Sequence, residues 1–316
     1  MRGKRALSAA RRMVERAANG CSGIGWVIRG KAFTIRPSRR TPHLHRMGRF
    51  DLTDAQWRRL EPLLPPEKPR TGRPNHPHRR ILNGILWINR TGAPWKDLPK
   101  CYGPVGTVSS RFYRWRTAGI WQRILEALQA RADRQGRVDW SLHFLDSTIV
   151  RAHQHAAGAR KTERRSDDEA LGRSRGGFST KVHIRAEGFG KPVIFTVTGG
   201  EVHDSQAFAT LMETGWIRRW GRGRPRLKPD RLAADKAYSS GVIRSALRRR
   251  HIQSVIPTKS NERPDPTFDR NAYRERNRVE RLINKLKRFR RIATRYEKRA
   301  VNYLAMITIA AILLWL

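Results

Sequence analysis

Glu280 lies on the basic side of a run of residues that extends from Asn271 to Arg299. Apolar residues recur in this run at the i, i+3, i+4, i+7 spacing of an amphipathic helix, and neither Gly nor Pro interrupts it. At about 100° per residue, positions four and seven residues from Glu280 lie on its face of that helix. These positions carry a phenol, a guanidinium, an amide and an ammonium group: Tyr273, Arg276, Asn284 and Lys287.

Two aspartates upstream could join Glu280 in one acidic site. Asp146 lies in the middle of the apolar run 142–150, which predicts a strand buried on both faces. A buried carboxylate is costly unless a cation or hydrogen-bond donors meet it, so a functional role is favoured over a structural one. Asp235 ends another predicted strand, at the carboxyl edge where open α/β sheets place their sites. Without these partners, Glu280 would be read as part of a solvated face with i, i+4 ion pairs.

Three convergent carboxylates could hold two Mg²⁺ ions, since Mg²⁺ is a hard cation that prefers oxygen ligands. One ion would activate an attacking water or 3′-hydroxyl, and the other would stabilise the leaving oxygen of a phosphodiester. Mn²⁺ could take the place of Mg²⁺. Asp146, Asp235 and Glu280 are therefore the expected catalytic residues and the expected metal ligands.

The elements predicted after residue 135 follow the order of a ribonuclease-H-like α/β domain. This order is strand, hairpin, helix, strand, helix, strand, helix. The expected segments are strand 142–150, hairpin 178–200, a helix opening at 203 with Asp204 as its N-cap, strand 231–235, helix 241–250, strand 252–259 and the helix of Glu280.

A small all-helical domain is predicted before that sheet, with helices near 54–64, 78–91, 103–115 and 121–131. Its third helix is expected to direct Arg111 and Arg114 outward, as in a helix-turn-helix DNA-binding domain. Short helical pairs are common, so this pattern gains weight only from the charge of the chain.

The charge of the chain favours an extended polyanion as its partner. The formal net charge is +41 over 316 residues, which fits nucleic acid or, less well, an anionic lipid surface. The apolar C-terminal run 302–316 is shorter than the roughly 20 residues that span a bilayer, so no membrane partner is expected. The two cysteines allow no disulfide framework, which indicates a reducing cytoplasm.

Residues 1–46 differ from the rest of the chain, because they are strongly basic and have no sustained apolar period. A flexible DNA-binding arm, a targeting peptide and a misplaced start before Met47 are three explanations. We favour the misplaced start and expect no rigid domain there. The expected division is thus a basic extension (1–46), a helical domain (47–135) and a catalytic domain (136–316).

The chain resembles the DDE transposases of bacterial insertion sequences, in the insertion-sequence-5-like group. The Y-x2-R-x3-E-x6-K signature of that group is matched with every spacing kept, and the two Asp motifs are matched in order, over a resemblance of about 48–316. Ser239 departs from the group, in which many members have Asp. The matched positions are Tyr273, Arg276, Glu280 and Lys287, then 146–153 and 234–238, with Trp57, Gly84, Trp87 and 92–95 in the helical region.

The resemblance implies a transposase that binds the terminal inverted repeats of its element, cleaves there and joins the 3′ ends to target DNA. Double-stranded DNA is the expected partner, with a homodimer or higher oligomer assembled on it. Tyr273, Arg276 and Lys287 would contact that DNA beside the catalytic acids. Two alternatives remain: a repressor derived from a transposase, and a nuclease of the same fold that does not join strands. The presence of all three acids disfavours the repressor.

Overall fold

The computed structural model describes residues 48–68, 71, 75–157, 169–174, 176–219 and 222–316. The basic extension 1–46 lies outside the described residues, so the predictions made for it stay predictions. Residues 48–316 form one compact unit. The predicted boundary at residue 135 also stays a prediction.

Four helices open the described chain, as the apolar periods predict. The first begins at Thr53, whose side chain forms a reciprocal capping box with Gln56. The second ends at Gly92, whose positive φ of 73° is a left-handed conformation that Gly adopts without steric cost. The helices are α1 (Asp54–Leu60), α2 (His78–Thr91), α3 (Val105–Thr117) and α4 (Ile120–Arg134).

A mixed sheet follows. Its strands are β1 (Leu142–Ala152), β2 (Gly172–Ser174), β3 (Gly177–Ala186), β4 (Pro192–Gly199), β5 (Arg231–Ala234), β6 (Gln253–Val255) and β7 (Thr294–Arg295). The central strand is β1. Antiparallel β3 and β4 form a hairpin on one edge of β1, and parallel β5 and β6 follow on the other edge. This arrangement is the predicted ribonuclease-H-like one. Two short strands were not predicted: β2 pairs with β3, and β7 pairs with the end of β1.

Six further helices cover the sheet: α5 (Phe208–Thr214), α6 (Gly241–Arg249), α7 (Arg270–Arg274), α8 (Asn277–Lys287), α9 (Arg290–Ala293) and α10 (Ala300–Trp315). The prediction of one helix from 271 to 299 is wrong, because α7, α8, α9 and β7 divide that run. Pairing of β7 with β1 and the hydrogen bonds of buried Arg295 to Ala170 O and Thr180 Oγ1 stabilise the break. These tertiary contacts override a continuous helical period.

The last helix, α10, joins the helical region to the sheet. Met306 O accepts a hydrogen bond from buried Asn89 of α2, and Trp315 donates its indole N–H to Pro192 O at the start of β4. Arg59 of α1 donates to Trp315 O at the end of the helix. In the described part of the chain, no helix is long and apolar enough to cross a membrane.

Arg111 does not lie on the outer face of α3 as predicted. Its side chain is buried, and its guanidinium contacts His78 Nδ1 at 3.0 Å and donates to Asn75 Oδ1 at 2.7 Å. The guanidinium carbon also lies 5.5 Å from the ring centre of Trp115. Buried His78 at the start of α2 and half-buried Asn75 before it both contact this guanidinium, so Arg111 faces inward, whereas Arg114 is exposed.

Asp204 is not the predicted N-cap. The side chain of His203 accepts the Ser205 N–H instead, and Asp204 forms an ion pair of 2.9 Å with Lys181 of β3. Next to Lys181 on β3 lies His183, which is fully buried and hydrogen-bonded to Thr198 Oγ1 at 2.8 Å. Burial lowers the pKa of His183 to about 4, against an opposing effect of Asp204.

We expect Arg111→Ala to lower the free energy of unfolding by about 2–3 kcal/mol, because it leaves a cavity and takes the donor away from buried His78 and half-buried Asn75. Arg114→Ala, the matched control on the same helix, should change it by less than about 0.5 kcal/mol. Urea unfolding followed by circular dichroism measures both. Equal effects of the two substitutions would contradict the buried role of Arg111.

We expect His183 to weaken the fold in acid. Its depressed pKa contributes stability that is present above about pH 6.5 and is lost as the pH falls towards 4, because the unfolded chain takes up the proton first. A shift of this size corresponds to about 3 kcal/mol. Unfolding at pH 7 and pH 4.5 should therefore show a smaller loss for His183→Gln than for the wild type. His76→Gln, at an exposed position, should lose as much stability between pH 7 and pH 4.5 as the wild type. If His183→Gln loses the same amount too, His183 is not the group that weakens the fold in acid.

Candidate active site

The two aspartates are adjacent because β1 and β5 are parallel neighbours. Leu145 of β1 pairs with Ala234 of β5. Asp146 and Asp235 are the residues that directly follow this pair. Asp146 stays within β1, whereas Asp235 caps the short turn after β5 and accepts the Ala237 N–H at 2.9 Å. The carboxylate on β1 is thus held by the sheet, and the other is held by its own turn.

Glu280 reaches the same place from α8. The buried side of α8 carries four apolar residues, and β1 is among the elements that it contacts. Glu280 itself lies in the first turn of the helix, with its side chain 51% exposed. The amphipathic period therefore positions a solvent-facing acid above the central strand. The buried residues of α8 are Val279, Leu282, Ile283 and Leu286.

Arg276 joins two of the three acids. Its Nη1 donates to Asp146 Oδ2 at 2.9 Å, and its Nη2 donates to Glu280 Oε1 at 2.8 Å. Because both carboxylates contact the same guanidinium, they lie on one side of the sheet within a few ångströms of that group. The pairing with Glu280 was open in the sequence, whereas the pairing with Asp146 had no local signal.

The pKa of Asp146 is raised above that of an ordinary aspartate, chiefly by burial. Burial raises this pKa, and the nearby charges of Asp235 and Glu280 raise it further. Arg276 and the Ser147 N–H act in the opposite direction, but the pKa stays above that of an ordinary aspartate. The desolvation of this carboxylate thus outweighs the stabilisation that Arg276 gives to its charged form.

The chemistry of this donor set fits a hard divalent cation, because it consists of carboxylate oxygens supplied by β1, by the turn after β5 and by α8. As the side chains are placed, however, no three His, Cys, Asp or Glu residues within the described ranges are grouped closely enough to hold an ion. The guanidinium of Arg276 contacts two of the three acids instead. Asp146 and Glu280 therefore share one guanidinium in this structure.

The remaining residues of the signature flank this centre. Tyr273 belongs to α7 rather than to the helix of Glu280; its ring lies 5.4 Å from that of Phe268 and 5.9 Å from the Arg276 guanidinium carbon. Lys287 is exposed at the end of α8, seven residues after Glu280, which is about 10 Å along the helix. Arg114 is exposed on α3, and Arg111 is buried away from solvent.

Tyr238, the last residue of the matched segment 234–238, is a buried neighbour of the acids for which no role was predicted. It follows Asp235 by three residues and is fully buried. Burial raises the pKa of its phenol, and so do Asp204, Asp146 and Asp235. The proximity to Asp235 in sequence was the available signal, but the burial depends on α5 and α6 packing over it.

Comparisons with known proteins match almost the whole described chain. The model of the family described as "Transposase DDE domain" covers residues 141–315, more than half of the chain. The model described as "Putative transposase of IS4/5 family (DUF4096)" covers residues 52–125, which include α1 to α3.

Among curated relatives, an uncharacterized protein of Sinorhizobium fredii is 39% identical over 112 residues, which are 35% of this chain and 85% of that protein. A protein of Brucella ovis, named as a putative transposase for insertion sequence element IS6501, is 30% identical over 143 residues, covering 44% of this chain and 99% of that one. Among solved structures, a piggyBac transposase synaptic complex with hairpin DNA aligns with a TM-score of 0.41 at 11% identity, over 81% of this chain and 69% of that chain. The match of the DDE model to more than half of the residues, in the segment that holds all three acids, shows that this chain belongs to the DDE transposases, enzymes that cleave and join DNA.

Proposed function

We propose that Asp146, Asp235 and Glu280 are the catalytic carboxylates of this transposase, and that they hold Mg²⁺, for which Mn²⁺ can substitute. Membership in the DDE family implies dependence on a divalent metal ion. The observation that carries the assignment is the contact of a single guanidinium with both Asp146 and Glu280, while Asp235 lies beside Asp146 on the neighbouring strand.

The chemistry follows from where each carboxylate is anchored. When bound, the divalent ions activate the attacking water or 3′-hydroxyl and stabilise the leaving oxygen of the phosphodiester. Asp146 is fixed within a strand that pairs on both edges, so it gives the most rigid oxygen ligands. Asp235 is oriented by the Ala237 N–H. Glu280 is the most exposed of the three acids. Glu280 is thus the carboxylate best placed to meet the incoming strand.

The substrate that we propose is double-stranded DNA, with the terminal repeats of an insertion sequence as the cleaved ends. The net charge of +41 supplies the affinity for a phosphate backbone. Exposed Arg114 on α3 and exposed Lys287 on α8 are the proposed phosphate contacts from the helical region and from the catalytic face. Because an element has two ends, we propose a homodimer or a higher oligomer on the DNA, acting in the cytoplasm.

We expect Asp146→Ala, Asp235→Ala and Glu280→Ala each to lower the cleavage rate of end DNA by more than about 1,000-fold, because each removes a ligand whose metal contributes several kcal/mol to the transition state. Binding of the same DNA should change little, since the basic surface supplies it. Removal of divalent metal with EDTA should stop cleavage by the wild type in the same way.

Gel assays of cleavage and fluorescence anisotropy of binding measure these two quantities. Glu275→Ala is the matched control, because Glu275 is an exposed acid of the same segment that pairs with Arg278. A triad variant that still cuts at a substantial rate in Mg²⁺ would remove that residue from the proposed site. Binding by a wild type that never cuts would favour the repressor alternative.

We expect Lys287→Ala to weaken binding of end DNA and to make its salt dependence shallower by about one unit of log–log slope, because one phosphate contact is lost. Lys285→Ala is the matched control, since Lys285 is exposed on the same helix about 200° around the axis. Titrations at several salt concentrations give the slopes. If the two variants and the wild type share one slope, Lys287 does not contact phosphate.

A further inference from the structure

Arg276 is placed where a metal ion would be expected to act. Its two terminal nitrogen atoms contact Asp146 Oδ2 and Glu280 Oε1, which are oxygen atoms of two proposed metal ligands. The guanidinium therefore supplies positive charge to the same oxygens that a divalent ion would need. Its contact with these atoms and metal binding to them are competing states.

The two ends of this bridge differ in their access to water. The side chains of Arg276 and Asp146 are 17% and 14% exposed, whereas that of Glu280 is 51% exposed. The contact with Asp146 is therefore shielded, and it meets a carboxylate that would otherwise be buried without a cation. The contact with Glu280 is open to an incoming group from solvent.

A divalent ion at Asp146 and Glu280 would lie close to a guanidinium that stays in place. Like charges at that separation repel strongly where water is partly excluded. Another anion that takes the guanidinium would relieve this competition. A phosphate of DNA is suited to this, because arginine binds phosphate through two parallel N–H···O bonds.

We propose that Arg276 is a positioning residue that makes metal loading depend on DNA. In the free protein it holds Asp146 and Glu280 together; when a phosphate of the bound strand takes its guanidinium, the two carboxylates become available. The inference rests on the proposed catalytic role of these acids. Because binding couplings are reciprocal, DNA tightens metal binding by the same factor as metal tightens DNA binding.

The test measures Mn²⁺ binding rather than turnover. Free Mn²⁺ is followed by its electron paramagnetic resonance signal, with and without a terminal duplex already cleaved at its end, after subtraction of the ions that the duplex alone binds. The proteins are the wild type, Arg276→Gln and the matched control Arg281→Gln. Arg281 is exposed on α8, next to Glu280 in sequence.

We expect the wild type and Arg281→Gln to bind Mn²⁺ at least about tenfold more tightly with the duplex than without it, which is within the usual range of coupling between sites. Arg276→Gln should bind Mn²⁺ without DNA at least about tenfold more tightly than the wild type, and it should gain little from the duplex. Equal Mn²⁺ affinity of the wild type with and without DNA would overturn the inference, and so would equal affinity of Arg276→Gln and the wild type in the free protein.

Three further variants keep the outcomes distinct. Arg276→Lys retains a cation that lacks the two-pronged geometry, so its Mn²⁺ affinity without DNA should lie between those of the wild type and Arg276→Gln; it also serves if Arg276→Gln does not fold. Asp146→Ala and Glu280→Ala should lose Mn²⁺ in every condition. If they bind Mn²⁺ as the wild type does, the proposed function fails; if they lose it while Arg276→Gln binds like the wild type, only the coupling fails.

Discussion

Pairing of β1 on both edges is the constraint from which the catalytic centre follows. β3 occupies one edge, and β5 and β7 occupy successive parts of the other. The backbone at Asp146 pairs with Ile184 of β3 and directly follows Leu145, which pairs with β5. The sheet thus holds this carboxylate in place, and compensating groups must come to it. β5 places Asp235 alongside, and α8 is held over the strand by its apolar side, so that Glu280 and the cation before it, Arg276, arrive together.

Several arginines of this strongly basic chain lie in its interior. Arg185 on β3 is fully buried and donates to His143 Nδ1 and to the carbonyls of Leu211 and Leu227. Burial lowers its pKa to about 9, and the charge of Arg250 adds to this effect. These interior cations meet carbonyl oxygens and aromatic rings instead of DNA. The affinity for a polyanion must therefore come from the exposed cations, and burial separates them from structural ones such as Arg111.

Local patterns predicted what local forces determine. The apolar periods of α1 to α4, the strand around Asp146 and the hairpin of β3 and β4 were all readable, because each buries a face that its own residues create. The predicted burial of that strand on both faces is wrong beyond Leu145, since residues 146–149 are half-buried or exposed. The three acids were selected by their positions on these predicted elements, and the motif spacing of the resemblance then supported the choice. These elements depend little on distant parts of the chain, so the sequence alone was sufficient for them.

The failures have one cause, which is a distant partner that no local pattern reveals. The run 271–299 has a helical period, but β7 gains strand pairing with β1 and ends the helix. Arg111 sits at an outward-looking position of a basic helix, but His78 and Asn75 need its donors. The spacing of four residues between Arg276 and Glu280 allows their ion pair, but it does not predict the second contact of Arg276, with Asp146. That contact depends on where α8 packs against β1. Tertiary hydrogen bonds decided each case against propensity.

The shared core has a consequence for how DNA would be positioned. Residues of α1 to α4 and of α10 belong to one apolar cluster, and α10 also packs on β4 through Trp315 and Pro192. A close-packed interior transmits position rather than absorbing it. If Arg114 on α3 binds a phosphate, its distance to the acids on β1, β5 and α8 is then set by this core and not by a flexible linker. The bond that is cut would then lie at a fixed number of nucleotides from the contacted phosphate, because the packing of the helices on the sheet sets the distance between Arg114 and the acids.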